Sequence, residues 1–484
     1  MYLAVLGREP ELSNAELESL FGKITHLTNN LSLFDSKTTP DINRLGGSLK
    51  LAEKLSEKPL EFLSKIEDGK ITIGISDYSK GASKKSATLE AMKLKKILTR
   101  HGRSVRVVLG DDAVLSTATS LHNGLSGKNP KKIELIKVDN DYYKVIGVQD
   151  IDAYSRRDQG RPARDAKVGM LPPKLAQILI NLCGALKPGS IILDPFCGTG
   201  VLLQEALLMG YFAYGTDISE RMIEYSERNL KWLLQDNRKS AFETVLRRRE
   251  QEERSAARND GPAQARREST FLLSQGNATD HKWSKLDAVA CEGYLGKPMS
   301  KIPSDIELKE QKQECSSIIL GFLKNLAPQI VKNTPIVIAA PAWLRENGEY
   351  SRLEILDQIE NMGYNVENKS REGLFYHREG QIVARDIIIL RTVKKSHEKA
   401  GGTSKNIHNN PGQRLGVKRF GGQKVKNGEV IVRQTGATKI AGPGTYMSRN
   451  FTIHAAKDGV VTFVKTKKTH FSGKSLPRIR VEVR

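Results

Sequence analysis

Seven residues constrain this chain more than any others. Asp194-Pro195-Phe196-Cys197-Gly198-Thr199-Gly200 separates an apolar, strand-like run, Ile191 to Leu193, from a helix-like run, Val201 to Met209. Two glycines let the backbone turn tightly and approach a ligand, and the helix that follows begins with free N–H groups suited to a polar or anionic moiety. The same alternation continues through a strand at Tyr211 to Thr216, a helix at Glu220 to Leu234, and strands at Asp287 to Cys291, Pro335 to Ala340 and Asp386 to Leu390. Strands alternating with amphipathic helices predict a doubly wound, mainly parallel sheet. Asp217 lies 17 residues beyond Gly200 and closes the next strand, where an acid in such folds takes a pair of ribose hydroxyls. Asn277 and Asp280, after a further strand-like segment, are placed to bracket an adenine edge.

The flanks of this sheet differ in character. A helix opened by Pro172-Pro173 precedes it, carrying Leu175, Ile178, Leu179 and Leu182 on one face. Ahead of that lies an arginine-rich connector, Tyr154 to Lys167. Asp236 to Glu268 is charged and aromatic-poor, which predicts a peripheral insertion with no core of its own. Residues 1–150 read as α+β: a helix over Glu11 to Phe21, a strand at Lys70 to Ile75, and a helix over Ser86 to His101 with Leu89, Met92, Leu94 and Leu98 at helical spacing. Strands follow at Ser104 to Leu109 and Lys132 to Val148, the latter broken at Asp139-Asn140-Asp141. Lys80, Lys84, Lys85, Lys93, Lys95, Lys96, Arg100 and Arg103 gather positive charge around the second helix, suiting either a phosphate backbone or a solvated face.

Charge then divides the chain. Its 484 residues carry a formal charge of +22, yet Lys394 to Arg484 holds 20 basic against 4 acidic residues. Ser396 to Gln413 is small, polar and glycine-rich, suited to lying extended, with cations at Lys399 and Lys405. Strand signals return beyond it, around the turn pairs Asn427-Gly428 and Asp458-Gly459, predicting a compact all-β module. Arg414, Lys418, Arg419, Lys424 and Arg433 offer phosphate contacts there. A length of 484 residues implies several domains, and 38% apolar residues excludes wholesale disorder. The most apolar run, Ala176 to Leu186, is interrupted by Gln177, Asn181 and Gly184, and the first residues lack a basic secretory n-region, so no membrane partner and a cytoplasmic location are expected. Cys183, Cys197, Cys291 and Cys315 form no C-x-x-C pair, so reduced thiols and no metal site are expected.

DPFCGTG, together with GRPARDAKVGMLPPKLAQILINL before it, resembles the S-adenosyl-L-methionine-dependent tRNA guanosine methyltransferases that carry a THUMP domain, especially those acting on the guanine 2-amine. The resemblance extends over about residues 1–393. It implies an N-terminal α+β region at 1–64, a THUMP-like tRNA-gripping domain at 65–150, a connector at 151–170 and a Rossmann-like methyltransferase domain at 171–393. It also implies that Asp194, Phe196, Gly198 and Gly200 flank the donor's amino-acid part, Asp217 its ribose and Asp280 its adenine. Such enzymes usually place Asp or Asn, Pro, Pro and an aromatic after the fourth strand. Here the string is Glu292-Gly293-Tyr294-Leu295-Gly296-Lys297-Pro298. Glu292 stands where the amine acceptor is expected and Tyr294 where the stacking ring is expected, making them the implied catalytic pair. The added methylene of Glu and the missing prolines shift the acceptor by more than about 1 Å, a displacement that costs about a hundredfold in rate. The alternative is a noncatalytic tRNA-binding module with a degenerate donor pocket. Gly373 to Leu390 resembles the closing hairpin of the same sheet, with His377 structural.

SHEKAGGTSKN and RLGVKRFGGQKVKNGEVIVRQTGATKIAGPGTYMSRNFTIHAAKDGVVTFV resemble the bacterial large-subunit ribosomal protein twenty-seven family, over about residues 396–484. This implies an extended basic tail at 396–413 reaching toward the peptidyl-transferase centre, a small barrel-like β module at 414–484 seated on large-subunit ribosomal RNA, a ribosome-associated location, and no role for DNA. The chain thus reads as two proteins joined near Lys395-Ser396.

Overall fold

The computed structural model describes residues 1–165, 170–236, 270–370, 374–393, 414–469 and 475–484. It divides into two compact units, Met1–Ser396 and His397–Arg484. The expected insertion beyond Asp236, Gly373 and the tail with Lys399 and Lys405 lie outside the described residues.

The first unit opens with an eight-stranded sheet. Its strands are β1 (Tyr2–Leu6), β2 (Ile24–Thr28), β3 (Leu31–Phe34), β4 (Ser48–Lys54), β5 (Ile71–Asp77), β6 (Val105–Val108), β7 (Lys132–Val138) and β8 (Asp141–Val148), in the spatial order β2-β3-β1-β4-β8-β7-β5-β6. The boundary expected between residues 64 and 65 is therefore not a break in the sheet: β4 pairs with β1 on one side and with β8 on the other. The helix Lys84–Arg100 forms as expected, capped by Ser83, but its buried stripe is Ala87, Ala91, Leu94 and Leu98. Leu89 and Met92 are 62% and 45% exposed, because alanines one turn apart lie closer to the sheet than the larger residues could. The charged face of this helix, including Lys84, Lys85, Lys93, Lys96 and Arg100, is exposed.

The connector is half helical. Ile151–Gln159 forms a helix whose buried anchor is Tyr154, N-capped by Asp150, which accepts from the Ala153 N–H at 2.9 Å.

Beyond it stand β9 (Ile191–Asp194), β10 (Phe212–Asp217), β11 (Phe271–Gln275), β12 (Ala288–Glu292), β13 (Pro335–Leu344), β14 (Tyr350–Arg352), β15 (Tyr364–Val366), β16 (Phe375–Tyr376) and β17 (Val383–Thr392), in one nine-stranded sheet. Its path is β11-β10-β9-β12-β13-β17-β15. β9 to β13 are mutually parallel, and β17 closes against β13 antiparallel. Period-two alternation distributes the strand residues to two cores. Ile192, Ala213, Ala288, Ala290, Val337 and Ile387 meet the helices Pro173–Asn181, Val201–Leu208 and Glu220–Asp236. Leu193, Val289, Cys291, Ile336, Ile338 and Ile388 meet Ile319, Phe322 and Leu323 of the helix Asp305–Leu326. All four cysteines are free and buried. No helix among the described residues is long and apolar enough to cross a membrane.

Glu16 couples the two sheets. Buried in the helix Pro10–Phe21, it accepts the Gly46 and Gly47 N–H groups at 2.9 Å each and the Asn181 side-chain amide at 2.7 Å. Burial pushes its carboxyl up to about 7, against the opposing pull of these donors.

The second unit packs two four-stranded sheets around Val425, Ile431, Val432, Ile453, Val461, Val481 and Val483. The turns at Asn427-Gly428 and Asp458-Gly459 form, with Gly428 at φ 86°. Each carries the chain from one sheet to the other instead of closing a hairpin: Lys424–Val425 pairs with Gly459–Thr469, whereas Val430–Arg433 pairs with Ile453–Ala455.

Candidate active site

The strand order reverses direction at β9, which has β10 on one side and β12 on the other, and crevices in open α/β sheets form at the carboxyl ends on either side of such a point. Here the crevice is a cavity of about 860 Å³, within the range of small-molecule sites. The loops after β9, β10, β11 and β12, with Gln381 and Arg385, supply its polar groups.

The first runs from β9 into the helix Val201–Leu208. Asp194 Oδ1 accepts the Phe196 N–H at 3.1 Å, the Cys197 N–H is tied to the Thr216 carbonyl, and the Gly200 N–H closes back on the Cys197 carbonyl at 2.7 Å. Gly200 holds φ 80° and Gly198 φ 50°, left-handed values that glycine adopts without strain. A Cβ on Gly200 would stand 2.8 Å from Ser226 Oγ, whose hydroxyl donates to the Gly198 carbonyl. Asp217, at the end of β10, accepts the Gly198 N–H at 3.0 Å and the Ser219 N–H at 2.9 Å. It therefore locks the first loop to the second while keeping lone pairs for a further donor. Gly276, Asn277, Ala278 and Thr279 after β11 complete that side.

The fourth loop follows β12. Glu292 and Tyr294 both line the cavity, with Leu295 to Met299. Tyr294 Oη donates to Glu314 at 3.3 Å, and Gln311 Oε1 accepts the Lys297 N–H at 2.8 Å. Glu292 has a partner 93 positions away in sequence: Arg385 Nε donates to its Oε1 at 2.8 Å, with both side chains largely buried.

The structure thus gathers Asp194, Phe196, Gly198, Asp217, Glu292 and Tyr294 around one cavity, with Gly200 shaping its loop. It does not gather Asp280, which is exposed and does not line the cavity: its N–H closes a turn on the Asn277 carbonyl, which leaves Asn277 to Thr279 facing the site. Arg385 is the cavity residue that sequence reading missed. Its run, Arg385 to Leu390, has the composition of an ordinary strand, and nothing local marks the charge as functional. His377 packs against Tyr350 and Phe375 and its carbonyl accepts from Arg8, away from the cavity.

Burial dominates the electrostatics of the cavity's carboxyls. Burial raises Asp194 well above the usual carboxylate range, and Asp217 and Glu292 raise it further. Asp217 is also raised by burial. Burial raises Glu292, while Arg385 opposes the shift. In the second unit, Arg414, Lys418, Arg419, Lys424 and Arg433 are all exposed, and Arg419 pairs with Glu429 at 3.2 Å.

A glycine-turned loop into a helix, an acid closing the neighbouring strand and an acid with an aromatic at the end of the fourth strand thus line one cavity at the carboxyl edge of the sheet. Residues 161–262 match the family model of an RMKL-like methyltransferase domain. A TehB-like SAM-dependent methyltransferase from Corynebacterium glutamicum matches over 45% of this chain and 85% of its own, at 14% identity and a TM-score of 0.25. Residues 396–473 match the model of the ribosomal L27 protein. The large ribosomal subunit protein bL27 of Bdellovibrio bacteriovorus is 42% identical over 81 residues, which are 17% of this chain and 94% of that protein. Through its second unit, the chain belongs to the bL27 family.

Proposed function

We propose that the first unit transfers a methyl group from S-adenosyl-L-methionine to RNA, at the exocyclic 2-amine of a guanosine in tRNA, and that the second unit is a structural component of the large ribosomal subunit, bound to its RNA near the peptidyl-transferase centre. The observation that carries the first half is the fully buried Asp194, which accepts a backbone N–H, has no cationic partner among the described residues and faces a cavity that Asp217 and Glu292 also line. Asp194 and Asp217, whose described partners are backbone N–H groups, fit a donor bearing ammonium and sulfonium charges, while Glu292 is engaged by Arg385. When bound, that donor supplies an electrophilic methyl group.

The chain's own residues would then divide the work. Asp194 and the loop Phe196 to Gly198 hold the donor's amino-acid part, and Asp217 its ribose. Leu171, Met222 and Val383 on the walls would shield a bound donor from water, which strengthens the polar contacts within. Glu292 accepts a hydrogen bond from the target amine and the proton that the amine sheds on methylation, and Tyr294 stacks on its base, so that the nitrogen lone pair is held toward the methyl group. The exposed lysines of Lys84–Arg100, in a THUMP-like region, support contact with the tRNA backbone. Titration calorimetry with the full-length chain tests the donor site: S-adenosyl-L-methionine binds and Asp217→Ala abolishes binding, whereas no binding by the unaltered chain contradicts the proposal.

A further inference from the structure

Arg385 lies at the start of the strand that closes the methyltransferase sheet, 3% exposed and lining the cavity. Its Nε is engaged with Glu292 Oε1. Its two Nη groups have no hydrogen-bond partner among the described residues, and neither does Glu292 Oε2. A guanidinium presents its donors in one rigid plane, so fixing Nε on a carboxylate fixes the direction of the others. The pair therefore presents donors beside an acceptor, both in the cavity that Tyr294 also lines.

That order of groups matches one nucleobase edge. Guanine displays an acceptor, O6, next to two donors, N1–H and the 2-amine. Adenine displays a donor beside an acceptor and has no 2-amine. We infer that the Glu292–Arg385 pair reads the Watson–Crick edge of the target guanine, Arg385 donating to O6 while the free oxygen of Glu292 accepts from N1–H and the 2-amine. Arg385 is then a specificity residue, and it also answers the missing prolines of the motif. The longer glutamate, which no proline-rigid loop holds, is held by the guanidinium. The inference rests on the proposed action on a guanine 2-amine and goes beyond it in assigning a residue to base selection.

2-Aminopurine keeps the 2-amine but lacks both O6 and the N1–H, so the preference for guanosine reports the whole edge and its change on substituting Arg385 reports the O6 contact. After the methylated guanosine has been mapped by nuclease digestion of labelled tRNA, a ligated transcript carrying 2-aminopurine at that position is compared with the guanosine transcript, using the full-length chain. The unaltered chain prefers guanosine by about a hundredfold or more in kcat/KM, as sites built to bond a polar substituent do. Arg385→Met lowers that ratio by about tenfold or more. Arg385→Lys, which keeps a charge beside Glu292, lowers it as well and guards against loss of folding, with donor affinity by calorimetry as the check. A damaged fold slows both substrates together and leaves the ratio intact. A ratio unchanged in both variants while they still bind the donor overturns the assignment of Arg385 and leaves the methyltransferase reading standing. Failure to map any methylated guanosine, with donor bound, overturns that reading and the inference with it.

Discussion

Arg385 Nε donates to Glu292 Oε1 at 2.8 Å across 93 residues of sequence, joining the last long strand of the methyltransferase sheet to the end of its fourth. The pair is buried enough that neither member is stable alone. Removing one partner of a buried ion pair leaves an uncompensated charge and costs about 3–5 kcal/mol, whereas replacing both by apolar groups is often nearly neutral. Arg385→Leu is therefore expected to lower the stability of the first unit by roughly that amount, and the double substitution with Glu292→Leu to recover much of it. Urea denaturation of the three variants checks this, and a double variant no more stable than the single one would sink it.

Glu16 gives the first unit a pH dependence. Its carboxyl is raised from 4.5 to about 7 by burial, so the folded state favours the protonated form. Stability from this group is fully present below the unfolded value and is lost as pH rises through the folded one. Between about pH 5.5 and about pH 8 the loss is about 2 kcal/mol. Glu16→Gln is expected to flatten that part of the profile. Denaturation midpoints at the two pH values measure the effect, and identical slopes for parent and variant would refute it.

Gly200→Ala places a side chain at φ 80° and directs its Cβ to 2.8 Å from Ser226 Oγ. We expect a stability cost of about 1–3 kcal/mol. Donor affinity is expected to fall too, since the Ser226 hydroxyl would lose its hold on the Gly198 carbonyl. Thermal melts with and without S-adenosyl-L-methionine distinguish the two effects.

These residues also show what the sequence made legible. The loop Asp194 to Gly200 was readable because tight turns leave local signals: two glycines, an acid, a strand before and a helix after. Asp217 was readable because it ends the adjacent strand. Arg385 was not, since its meaning depends on a partner in another strand. The same holds for Asn427-Gly428, where the turn was legible and the sheet each strand joins was not. Leu89 and Met92 misled for a different reason: on Lys84–Arg100 the small residues Ala87 and Ala91 mark the packed face, and hydrophobic spacing alone weighs leucine above alanine.

The junction near Lys395-Ser396 carries a prediction of its own. A tail of 18 residues, Ser396 to Gln413, spans at most about 60 Å, and a body of some 395 residues has a radius of gyration of about 21 Å. With the second unit seated on ribosomal RNA as proposed, a body of that size cannot follow such a tail inward, so the second unit is expected to be released or separately initiated near Lys395-Ser396, the alternative being a tail held outside. Intact-mass analysis of purified large subunits should find a species beginning close to Ser396. Full-length chain in stoichiometric amount would contradict this.

The central claim is that the first unit is a working RNA methyltransferase whose acceptor end is built on Glu292. The most direct test incubates the full-length chain with tritiated S-adenosyl-L-methionine and unfractionated tRNA, digests the RNA to nucleosides and locates the label. Label in guanosine methylated on its 2-amine, falling by about a hundredfold or more in Glu292→Ala, is the expected result. Equal transfer by the variant, or none by a chain that binds both donor and tRNA, would contradict the account.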